Sequence, residues 1–167
     1  MEAHPPASSP RPQGPPDQGT AAQPREVTFY VLEDASSAAR LRLACRIIEK
    51  AYDAGHRVLV WQPDAAELEA LDDLLWTSGD DRSFIPHERF AAGRPAETPV
   101  LLAADSPPGG DLEVLVNLAP DVPEAAARAR RIVEIIDGEP GRRAAGRARF
   151  KAYRDLGWPL TSHNVRG

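Results

Sequence analysis

The sequence predicts a three-layer α/β fold, a mainly parallel sheet with helices on both faces, and three observations carry that reading. Short β-branched and apolar runs recur at 27–32, 56–61, 99–104 and 112–118. The segments between several of them space their apolar residues by three and four, as helices lying on a sheet do. The run LEVLVNL at 112–118 is apolar almost throughout, which fits a strand covered on both faces. Strands alternating with helices in this way define the class.

Each element has its own local signal. VTFYVL (27–32) is β-branched and aromatic, and reads as the first strand. Ser36 or Ser37 then caps a helix whose inner positions are Leu41, Ala44, Cys45, Ile48 and Tyr52, ending at Gly55. HRVLVW (56–61) is the second strand, and Pro63 with Asp64 opens the helix AAELEALDDLLW, with Leu68, Leu71 and Leu74 or Leu75 inward. The stretch 77–98 is irregular, and a connection of that length in a compact domain is usually functional. PVLLAA (99–104) and LEVLVNL follow as strands. A helix is expected over Pro123–Asp137, with Ala126, Ala129, Ile132, Val133 and Ile136 as its buried stripe. Gly138, Pro140 and Gly141 break it, and a basic helix follows.

Composition bounds the organisation and the chemistry. Residues 1–24 are rich in Pro, Ala, Gly and small polar side chains and are expected to be a disordered extension carrying no secretory or transit signal. Residues 25–158 form one domain, and 159–167 read as a flexible C-terminal tail. No run approaches the about 20 consecutive apolar residues that span a bilayer, so no membrane association is expected. Cys45 is the only cysteine and sits on the expected buried face of its helix, so disulfides and cysteine-rich metal centres are excluded and a cytoplasmic location fits. The net charge of -5 argues against a protein that wraps duplex DNA.

Nucleotide chemistry is not written in the loops. The strand 27–32 is not followed by GxGxxG, and no GxxxxGK[ST] is present, so the phosphate cradle and its lysine are both missing. His4, His56, His87 and His163 show no ligand spacing, and Asp72, Asp73, Asp80 and Asp81 read as solvated acids. No cofactor, metal or catalytic residue is assigned. The enzyme alternative is a nucleotide- or phosphoester-processing α/β protein using His87 with Asp80 or Asp81.

Two segments look built for docking. Between Gly141 and Leu156 five arginines and one lysine face a single acid, Asp155. On a helix, Arg143, Arg147, Phe150, Lys151 and Arg154 fall along one side, with Tyr153 among them, while Arg142 and Arg149 read as solvated charges. Guanidinium groups around an aromatic suit an acidic peptide with an apolar end, and equally suit single-stranded nucleic acid stacking on Phe150 or Tyr153. In WTSGDDRSFIPH (76–87), Trp76, Phe84, Ile85 and Pro86 make an apolar cluster that either covers the core edge or anchors a partner.

VTFYVL, the Ala44–Cys45 helix, KAYDAGHRVLV (50–60), LDDLLWT (71–77), DRSFIPH (81–87), PVLL, VLVNL and ARFKAYRDLGW (148–158) together resemble the family of chi subunits of bacterial DNA polymerase III. The match runs in order over residues 26–158. The resemblance implies a Rossmann-like fold without nucleotide chemistry, in a non-catalytic replication subunit of a holoenzyme that itself carries the DNA-directed DNA polymerase activity. It implies a bridge from the clamp loader, through the psi subunit, to the single-stranded DNA-binding protein, with single-stranded DNA met mainly indirectly. By position, Arg147, Phe150, Lys151 and Arg154 match the family site for the acidic C-terminal tail of that protein, with Arg143 nearby. Phe150 stands where the best-known members carry tyrosine. Phe84, Pro86 and His87, with Trp76 beside them, match the psi-binding surface.

Overall fold

The computed structural model describes residues 25–77 and 84–166; residues 1–24, residues 78–83 with Asp80 and Asp81, and Gly167 lie outside them. The chain enters at β1 (Glu26–Leu32) and passes into α1 (Ser37–Asp53). Ser36 Oγ accepts from the Ala39 N–H at 3.1 Å and satisfies one orphan donor of the first turn. Gly55, at φ +88°, takes the left-handed turn after α1 that a side chain resists. β2 (Val58–Trp61) leads to α2 (Ala65–Thr77), whose first turn is capped by Asp64 Oδ1, which accepts from the Ala66 and Glu67 N–H groups. Then come β3 (His87–Arg89), β4 (Val100–Ala103), β5 (Leu112–Asn117), a 3₁₀ turn (Glu124–Arg128), β6 (Ala129–Ile136), α3 (Pro140–Asp155) and β7 (Leu160–Val165).

The seven strands form one sheet in the order β3-β4-β2-β5-β6-β1-β7, and every pairing is parallel. Strand alternation sends neighbouring residues to opposite layers. Val114 and Val116 pack with Leu41 and Ile48 of α1 and Leu71 and Leu75 of α2. Leu115, between them, joins Ala125 of the 3₁₀ turn and Tyr153 of α3 on the other face. The three layers and the covered strands are therefore those the sequence predicts. Cys45 is buried, as its helix position implies.

The expected helix over 123–137 is a correction. Its first residues make the 3₁₀ turn, and its remainder is the strand β6. Ala126, Ala129, Ile132, Val133 and Ile136 are all buried as expected, but Ala126 in the 3₁₀ turn and the other four in a strand covered on both faces. Four of the five residues from 132 to 136 are β-branched, and such side chains lose rotamer freedom in a helix and pack well on a sheet.

The tail expected at 159–167 is corrected too, because residues 160–165 are the edge strand β7. Its polar sequence LTSHNV suits an edge exposed to water, and its pairing comes from β1: Val27 lies opposite Leu160, and Leu32 opposite Val165.

Candidate functional site

α3 is the element around which the first site is built. Pro140 occupies its first turn, and the Glu139 side chain accepts from the Gly141 and Arg142 N–H groups at 3.0 and 2.6 Å. Those two bonds hold the Glu139 carboxyl below its ordinary value. Gly146 faces β6 so closely that a Cβ there would stand 2.6 Å from Ile136 Cγ1; glycine lets the helix lie on the strand.

Arg142 and Arg149, expected to be solvated, are not. Arg142 clamps Asp137 with Nε at 2.9 and 3.0 Å and Nη2 at 2.6 Å, and the hydrogen bonding raises its guanidinium above the usual value. Arg149 is 5% exposed; its Nε donates to Glu134 Oε1 at 2.8 Å and its Nη1 to the Pro120 carbonyl at 2.8 Å. Glu134 is fully buried and also accepts from Tyr153 Oη at 2.6 Å and Asn117 Nδ2 at 2.9 Å. Burial pushes its carboxyl up, against the pull of Arg149, Tyr153 and Asn117. Burial, reinforced by Glu134, pushes the Tyr153 phenol up as well. Tyr153 therefore offers no ring for stacking, and the stripe loses that member.

The outer side of α3 keeps the others. Arg147, Lys151 and Arg154 are exposed, and Arg143 and Phe150 are half-buried. Among the described residues no hydrogen bond or ion pair engages the guanidinium groups of Arg143, Arg147 and Arg154. Lys151 Nζ donates to Asp155 Oδ2 at 2.8 Å, which holds the Asp155 carboxyl below its ordinary value. Phe150 rests on Phe29, ring centroids 5.2 Å apart, beside Trp158 and Leu160. A firm apolar seat flanked by uncommitted cations is what the geometry presents.

The second site lies on the opposite layer, where α2 ends. Trp76 is 58% and Phe84 48% exposed, with ring centroids 5.3 Å apart, and buried Ile85 anchors the chain beside them. The His87 ring lies 4.8 Å from Trp76 and 6.4 Å from Phe84. Its Nδ1 donates to the Ile85 carbonyl at 2.7 Å, and its Nε2 stands 2.9 Å from Asp72 Oδ1. Asp72, expected to be solvated, also accepts from Arg89 Nε at 3.1 Å. Pro86 is half-buried next to this group. The structure thus brings together Trp76, Phe84, Pro86 and His87, and adds Asp72 and Arg89. Their signal in the sequence is slight: Asp72 and Trp76 are four residues apart on one helix.

At the carboxyl ends of β2 and β5, where a doubly wound sheet normally takes its ligand, a crevice of about 330 Å³ is lined by Arg40, Asp64, Glu67, Leu118, Arg142 and Arg149. Two of its polar side chains are engaged: Arg40 Nη2 donates to the Leu118 carbonyl at 2.6 Å, and Asp64 Oδ1 accepts from the first N–H groups of α2. Among the described residues no group of three His, Cys, Asp or Glu is placed to hold a metal, and no helix is long and apolar enough to cross a membrane.

Fold and sites define a parallel α/β domain that carries a basic helix face around Phe150 on one layer and an exposed aromatic pair, Trp76 and Phe84, on the other. The chain belongs to the DNA polymerase III chi subunit (HolC) family, whose family model matches residues 25–161, and stands among DNA-replication subunits. It is similar to DNA polymerase III subunit chi of Pseudomonas aeruginosa, 38% identical over 139 residues that cover 83% of this chain and 96% of the relative. DNA polymerase III subunit chi of Escherichia coli is 27% identical over 143 residues, covering 83% and 97%. The crystal structure of T4 UvsW aligns with a TM-score of 0.61 over 85% of this chain and 41% of that one, at 9% identity, a likeness of fold alone.

Proposed function

We propose that this chi-family chain is a non-catalytic, cytoplasmic bridge within the DNA polymerase III holoenzyme. It joins the clamp loader, through psi, to the acidic C-terminal tail of the single-stranded DNA-binding protein. One observation carries the reading: the outer side of α3 sets Arg143, Arg147, Lys151 and Arg154 along Phe150, while Arg142 and Arg149 are taken up by Asp137 and Glu134. An acidic peptide ending in an apolar side chain fits that division. Its carboxylates meet exposed cations, and its apolar end meets the Phe150 seat. Psi takes the Trp76–Phe84 patch. Because α2 and α3 cover opposite faces of the sheet, both partners bind at once.

Isothermal titration with the tail peptide of the cognate single-stranded DNA-binding protein tests the first half. Binding is expected in the micromolar range and weakens as salt rises, since exposed pairs are screened. Arg147→Ala, Lys151→Ala and Phe150→Ala each reduce the affinity. Unchanged affinity in all three removes the assigned site.

A further inference from the structure

We propose that Asp72, which lies outside the exposed patch, is the positioning residue of the Trp76–Phe84 surface. Through His87 it fixes the two rings for a partner that offers an apolar side chain. The inference rests on the reading of that patch as the psi-docking surface.

Trp76 and Phe84 come from different elements. Trp76 is near the end of α2, and Phe84 precedes β3, separated from the end of the helix by six residues, 78–83. Beside Ile85, which is buried in the core with Leu71 and Leu75 of α2, their rings stand 5.3 Å apart. The His87 ring lies against both, and its orientation is set by its two nitrogens. Nδ1 donates to Ile85, only two residues back, so that bond ties β3 to its own approach and not to α2. The bond across to α2 is the one to Asp72.

Asp72 is well placed to do this. It stands four residues before Trp76, so carboxylate and indole rise from one side of α2 and take His87 between them, one at the ring edge and one at the ring face. Its second oxygen receives Arg89, which shares a side of β3 with His87. One carboxylate therefore fixes two positions of β3 relative to one helix. The imidazole is completely buried and the carboxylate about one-fifth exposed. With a carbonyl accepting from Nδ1, a single proton lies between Nε2 and Asp72, and losing Asp72 strands a buried nitrogen. Asparagine keeps a bond, because its amide donates to the Nε2 lone pair of the neutral ring; alanine keeps none.

The test uses the full-length protein as wild type, Asp72→Ala, Asp72→Asn and Trp76→Ala/Phe84→Ala, with two readouts. In the free protein, NMR reads the ring-current displacement of the His87 carbon-bound protons by Trp76. Titration with cognate psi reads docking, and titration with the tail peptide checks that the remote α3 site is intact. Asp72→Ala is expected to abolish the ring-current displacement and weaken psi binding at least about tenfold, with tail affinity unchanged. Asp72→Asn restores most of both. Asp72→Ala that keeps the His87 displacement and the psi affinity overturns the proposal, as does wild-type His87 without any displacement, a result that needs no variant to fold. If the double aromatic variant binds psi as wild type does, the docking reading fails. The His87 resonances of Asp72→Ala and Asp72→Asn then still decide whether Asp72 positions the rings.

Discussion

Glu134 and Arg149 meet at 2.8 Å between β6 and α3, with 0% and 6% of their side chains exposed. The pair turns one side of a basic helix inward and so leaves Arg147, Lys151 and Arg154 on the exposed side. Removing one partner strands a buried charge, whereas replacing both with apolar residues does not. Arg149→Ala should therefore cost about 3–5 kcal/mol in urea unfolding, and Glu134→Leu with Arg149→Met should recover much of that.

The Lys151–Asp155 bond competes with any acidic ligand for Lys151. Both side chains are well exposed, so the pair is weak and easily exchanged. Asp155→Asn is expected to strengthen tail-peptide binding by about two- to fivefold at low salt, the difference shrinking as salt rises. Titration at two ionic strengths checks it.

Gly146→Ala raises helix propensity and yet should destabilise the protein. The added methyl meets Ile136 Cγ1 at 2.6 Å, and pushing α3 off β6 costs about 1–3 kcal/mol. Ile136→Val in the same chain makes room and should return part of the loss, measured as denaturation midpoints.

Glu139 gives α3 a pH-dependent start. Its carboxyl is depressed in the folded chain by the Arg142 and Gly141 N–H groups, so its contribution is complete above the unfolded value near 4.5 and is lost as pH falls through the lower folded value. Thermal melts taken from neutral pH downward through 4.5 should show a shallower acid decline in Glu139→Gln than in wild type.

Most of the architecture is legible in the residues because local and global signals agree at β1, α1, β2, α2, β4, β5 and α3. The misreadings at α3 have a single source. Ile132, Val133 and Ile136 fit both a helical stripe and a buried strand, and choosing the helix hides where Glu134 points. With 129–136 as a strand, Glu134 faces α3, and Asp137, just beyond it, meets Arg142 at the start of the helix, so Arg142 and Arg149 acquire partners. β7 escapes notice for another reason: an edge strand of threonine, serine, histidine and asparagine has no apolar alternation, and its place is set by β1. The outward stripe of α3 is readable because exposure follows from what the helix must bury, whereas which of Trp76, Phe84 and Ile85 is exposed is decided by packing and not by the residues themselves. The Asp72–His87 bond spans fifteen residues, and no periodicity encodes it.

The strand order carries a consequence for the life of the chain. β1, the first strand synthesised, has as its two neighbours β6 and β7, whose matching residues lie more than 100 positions later. While the chain is being made, β2 through β5 can pair among themselves, but β1 waits with both edges open until β6 has emerged and with one edge open until β7 has. α3, which lies between β6 and β7 in sequence, is locked into place in that same final step. A chain cut after Trp158 would lose Leu160 from beside Phe150 and would leave one edge of β1 bare, an opening for aggregation during synthesis.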